Sequence, residues 1–122
     1  MNLKFGTRPV VSINLEPGIY LLPVDSATGK SYMSWLFKNL ESIDRVTSHT
    51  FPAKLDAESV LDSSERDVVL LDRYDMCKDD YVEAMREFAE KGILLVDFKS
   101  HRFPLSCSRC DLDMTKDELV VS

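Results

Sequence analysis

Apolar positions fall into two patterns, short unbroken runs and a repeat every three to four residues. Ile19 to Leu22, Val68-Val69-Leu70-Leu71 and Ile93-Leu94-Leu95-Val96 are the runs, and each halts at a stop residue: Pro23, Asp72 and Asp97. Runs of this length without a polar side suit strands covered on both faces. A further stretch over residues 46–51 is rich in β-branched and aromatic residues, is stopped by Pro52 and predicts another strand. Met33, Leu36, Phe37, Leu40 and Ile43 recur at helical spacing and predict a helix over 30–43. Val82, Met85 and Ala89 predict a second helix, with Tyr81, Ala84 and Phe88 widening its face. Asp80 and Glu83 form its start pair, Glu87 and Lys91 an i,i+4 pair, and Gly92 its end. Weaker signals predict a short helix over 55–61, strand character around 9–13 and a final edge strand at 119–121.

Strands alternating with amphipathic helices predict a compact α/β domain, a mostly parallel sheet flanked by helices. The 122 residues fit one such domain, with residues 98–122 as a loop-rich segment. Right-handed crossovers bring the strand–helix loops to one edge, where ligands bind.

The first of these loops carries the chemistry. Val24-Asp25-Ser26-Ala27-Thr28-Gly29-Lys30-Ser31 ends in Gly-Lys-Ser between an apolar strand and an amphipathic helix. Gly29 lets backbone approach a phosphate closely, and successive N–H groups with the helix start favour an anion. Thr28, Gly29, Lys30 and Ser31 are therefore the candidate nucleotide-binding residues, with Lys30 directed at phosphate and the Ser31 hydroxyl at Mg²⁺. Residues 24–31 and 68–72 resemble the Walker A and Walker B patterns of the P-loop NTPase superfamily. The phrasing around residues 67–72 and 93–96 is similar to its ATP-binding-cassette and AAA-type members. The resemblance spans 19–97 and implies that Asp72, with Ser31, holds the metal shell. Two positions depart from it. Val24 stands where Walker A opens with glycine, and Arg73 stands where those two groups carry the glutamate that activates water. Arginine is no general base near neutral pH, and Asp75 is the nearest substitute.

The expectation is thus an ATP- or GTP-phosphate-binding protein with little or no hydrolysis. The alternative is a non-catalytic protein-interaction or inhibitor module on a decayed P-loop scaffold, of the kind a phage or mobile element encodes.

A formal net charge of −6 argues against general nucleic-acid binding. No apolar run approaches the ~18 residues of a membrane span, and no signal-peptide pattern opens the chain, so a soluble cytoplasmic protein is expected. Cys77, Cys107 and Cys110 are odd in number, and free thiols are the favoured reading. The alternative joins Cys77, His101, Cys107 and Cys110 in a zinc site. Tyr32 and Trp35 read as core, with a partner surface as the second possibility, and His49 reads as structural. Acids at 56, 58, 62, 65 and 67 read as a solvated linker. Lys99, His101, Arg102 and Arg109 make a basic cluster at the presumed ligand edge.

Overall fold

The computed structural model describes residues 2–24, 29–100 and 102–122. Along the chain run β1 (Asn2–Phe5), β2 (Val10–Asn14), β3 (Gly18–Leu21), α1 (Lys30–Leu40), β4 (Val46–Thr50), α2 (Ala57–Val60), β5 (Val68–Asp72), α3 (Val82–Ala89), β6 (Ile93–Val96), β7 (Ser108–Arg109), β8 (Leu112–Met114) and β9 (Glu118–Val121). A single 3₁₀ turn, Tyr74–Met76, follows β5.

Five strands form an all-parallel sheet in the order β4-β5-β6-β3-β7. One strand, β6, therefore separates β3 from β5. Side chains of β5 and β6 point alternately to two cores. Val68, Leu70, Ile93 and Leu95 join Met33, Leu36 and Phe37 of α1 on one face. Val69, Leu71, Leu94 and Val96 join Met85 and Phe88 of α3 on the other, with Ala57 and Val60 of α2 at its margin. The unbroken apolar runs are thus explained: neither strand has a solvent side.

The sequence pattern did not reveal how the α1 face is closed. At 1.5 Å per residue, eleven-residue α1 is only ~16 Å long, and the rest of that face is covered by a second sheet, β1-β2-β9-β8. It contributes Phe5, Val11, Ile13, Leu119 and Val121 to the α1-side core. Residues 119–121 are therefore not an edge strand. They pair in parallel with β2 and antiparallel with β8. The segment 98–122 contains three strands rather than loop alone.

Several local expectations also change. Helix α1 stops at Leu40, where Asp44 N–H bonds the Leu40 carbonyl at 2.8 Å, so Ile43 lies beyond it and is exposed. Trp35 is 61% exposed, because Met33, Leu36 and Phe37 already form the buried stripe; Tyr32 is half-buried against the core. Lys91 falls outside α3, whose ion pair is Glu83–Arg86 instead. The start pair does not form as expected: Tyr81 is the N-cap residue and makes no side-chain cap, Asp80 accepts from Val82 N–H at 2.9 Å just ahead of the helix, and Glu83 turns to Arg86. The acids of 56–67 serve local turns: Asp56 caps α2, Asp62 accepts from Ser64, and Asp67 pairs with Arg45.

Gly92 ends α3 by donating to Phe88 O at 2.8 Å, and a Cβ there would sit 2.5 Å from the Phe88 ring. Phe88 is buried and has no room to yield. Gly92→Ala is expected to cost ~1–3 kcal/mol, as overpacking does, read as a lower urea midpoint with unchanged slope.

Candidate functional site

The carboxyl ends of β3 and β6 form the switch point of the five-stranded sheet. After β3 the chain leaves for α1 on one face. After β6 it leaves for the opposite face, where Phe98, Phe103 and Leu105 pack on the α3-side core. Adjacent parallel strands whose exits diverge leave a crevice at their carboxyl ends, the usual ligand position in such sheets.

Lys30, the first residue of α1, lies in this crevice. Its ammonium donates to the carbonyls of Pro23 at 2.8 Å and Val24 at 3.5 Å, and pairs with Asp97 Oδ1 at 3.2 Å. Both side chains are largely buried, Lys30 at 12% and Asp97 at 9% exposed. Asp97 is held by the sheet itself: its N–H bonds Leu71 O, and its carbonyl accepts from Tyr74 N–H, each at 2.9 Å. Asp72, at the end of β5, accepts from Thr50 Oγ1 at 3.2 Å and lies near enough to Asp97 to feel its charge. Burial raises the Asp72 carboxyl above its ordinary 3.8, the Thr50 bond opposes this, and the Asp97 charge adds to it. Lys30, Asp72, Asp97 and Thr50 thus form one connected cluster across three strand ends and a helix start.

Gly29 precedes α1 with φ +94°, in the left-handed half of the map that favours glycine. A Cβ there would lie 3.2 Å from Leu119 Cδ1. The turn is therefore pressed against β9, and the second sheet buttresses the crevice. Among the described residues no side chain caps the α1 N-terminus, and its first turn carries no acid. Ser31 is exposed on that turn. Thr28 lies outside the described residues, as do 25–27.

Arg73, directly after Asp72, is exposed and adopts a left-handed conformation, φ 59° and ψ 44°. Its backbone turns the chain away from the strand axis there. Asp75 is exposed on the 3₁₀ turn. Lys99, Arg102 and Arg109 are exposed, and His101 lies outside the described residues.

The cysteines do not converge. Cys77 packs against the α3-side core and donates to Asp79 O, Cys107 is exposed, and Cys110 is buried in the α1-side core with its thiol toward Leu21 O at 3.6 Å. The sheet separates Cys77 from Cys110, so the zinc alternative lacks its ligand geometry. Among the described residues no group of three His, Cys, Asp or Glu side chains is arranged to hold a metal ion. Burial raises all three thiols, Cys110 to about 11.

Sequence reasoning singled out Lys30, Ser31 and Asp72 but not Asp97 or Thr50 as site residues. The signal for Asp97 was present, an acid ending an apolar run. Its pairing with Lys30 required the strand order. A scan against protein-family models, a search of curated proteins and a search of solved structures each find no match.

Two measurements follow from the titratable groups. A carboxyl raised by the fold is protonated more readily folded than unfolded, so its ionisation costs stability as pH rises through the raised value. Without added magnesium, Asp72→Asn is expected to raise the melting temperature by a few degrees at pH 7. The gain should vanish as pH falls below 3.8, where Asp72 is protonated in both states. Native alkylation followed by mass spectrometry should label exposed Cys107 first, and Cys110 only at the rate of unfolding.

Proposed function

We propose that the Lys30 crevice binds the phosphates of a nucleotide, ATP or GTP, with little or no hydrolysis. The observation that supports this most directly is the position of Lys30. An almost buried ammonium stands at a helix N-terminus that no described side chain caps, where the strand exits diverge. Helix N-termini and a directed lysine both favour a polyanion there. Phosphate oxygens would replace the Pro23 and Val24 carbonyls and the Asp97 carboxylate as partners of Lys30, exchanging one set of bonds for another.

Magnesium fits the donors. Ser31, Asp72 and Asp97 offer only hard oxygen ligands, and this ion commonly takes one or two carboxylates plus phosphates and water. Bound there, it would neutralise phosphate charge. Hydrolysis lacks a base: Arg73 occupies the position after Asp72, and Asp75 points into solvent on an exposed turn.

The second reading, a non-catalytic interaction module on a decayed scaffold, draws support from the same contacts. Lys30 with three oxygen partners is also a complete structural latch.

Calorimetry and thermal shift with Mg·ATP and Mg·GTP separate the two. Binding below millimolar concentration, weakened at least ten-fold by Lys30→Ala, is the expected result. A thermal melt of Lys30→Ala without nucleotide checks that the variant is folded, because removing Lys30 leaves a buried carboxylate without its partner. No binding by either method at millimolar nucleotide favours the latch.

A further inference from the structure

The outer side of α1 borders a groove of about 490 Å³ whose lining includes Ser34, Trp35, Lys38, Asn39, His49 and Thr50. One wall is the Trp35 ring, exposed although it is the largest apolar side chain on the helix. It is backed by Tyr32, with ring centroids 6.1 Å apart, and Tyr32 is fixed by donating to Pro9 O at 2.7 Å. The other wall is His49, held by Ala53 O at 2.8 Å and set edge-on to buried Phe51 at 4.8 Å. Ser48 Oγ donates to the Ser34 carbonyl at 2.7 Å and joins helix to strand beneath them.

Thr50 lines the groove and donates to Asp72, which links the groove to the cluster around Lys30. Along α1, Trp35 is four residues beyond Ser31, so the two occupy the same helix face one turn apart, ~6 Å along the axis.

We infer that this groove binds a planar heteroaromatic ring stacked on Trp35, next to phosphates held at Lys30. The inference rests on the phosphate reading for its anchoring half alone. An indole already backed by Tyr32 loses little freedom on stacking, and every base offers a π-face to it. Ser34, Lys38 and Asn39 supply polar groups at the ring edge. The ring has two sources: the base of the phosphate-bound nucleotide, or a separate nucleoside beside it.

Trp35 is the only tryptophan in the chain, so its fluorescence reports this groove directly. The protein is titrated with Mg·ATP and Mg·GTP, with magnesium tripolyphosphate, and with adenosine and guanosine in the presence and absence of tripolyphosphate. Quenching by nucleotide, with none by tripolyphosphate, is expected. Trp35→Ala should then weaken nucleotide roughly ten-fold and leave tripolyphosphate affinity unchanged, while Trp35→Phe retains most of the binding. Quenching by nucleoside over tripolyphosphate, while nucleotide binds silently, assigns the ring to a second molecule. Nucleoside quenching without any phosphate binding keeps the groove and overturns the phosphate reading. Calorimetric nucleotide binding with silent Trp35, no nucleoside quenching and unchanged affinity in Trp35→Ala overturns the groove and keeps the phosphate reading. No binding in any arm overturns both.

Discussion

Everything in this fold answers to two strands that have no polar side. Val68 to Leu71 and Ile93 to Val96 are fully buried, so β5 and β6 need apolar cover above and below. Burying these eight side chains together with the residues that cover them is the main favourable contribution available to a chain this short. On one face the crossover helices α2 and α3, with the aromatic segment around Phe98 and Phe103, supply the cover. On the other, the single helix α1 is too short. The four-stranded sheet completes it, drawing strands from both ends of the chain.

The same arrangement sets the chemistry of the edge. Because β6 lies between β3 and β5, its terminal Asp97 is placed between Lys30, at the α1 start, and Asp72, at the β5 end. Two carboxyls and one ammonium then meet where the sheet excludes much of the water. Their charges are mutually dependent: Lys30 offsets Asp97, and Asp97 raises the cost of ionising Asp72. The second sheet takes part as well, because Leu119 packs where a side chain at position 29 would otherwise stand. The glycine is required by its φ and by this close approach, before any ligand is considered.

How far this was readable in the residues depends on the range of each interaction. The runs at 68–71 and 93–96 declare two-sided burial locally, and α1 declares its inner stripe through Met33, Leu36 and Phe37. The end of α1 was misjudged because Ile43 continues the spacing although the helix stops a turn earlier. Trp35 was placed in the core because hydrophobicity alone does not say which side of a helix is already full. Strands β1, β2, β8 and β9 carry little signal, because they mix exposed or half-buried positions with buried ones where β6 is buried throughout. Their partners lie elsewhere in the chain: Ser12 donates to Glu118 across 106 positions. Lys30 and Asp72 were legible from local pattern. Asp97 and Thr50 join them only through the order of strands.

That pairing of β2 with β9 has a temporal consequence. During folding the pairings of the five-stranded sheet span shorter stretches of chain than that of β2 with β9, yet the α1-side core remains open until β9 is in place. Phe5, Val11 and Ile13 must wait, uncovered, for Leu119 and Val121. Contacts of such separation are slow to form and leave apolar surface open to aggregation or chaperone capture meanwhile. The α1-side core is therefore sealed by a pairing between segments more than a hundred positions apart, and a chain in which that pairing has not formed carries one covered face and one open one.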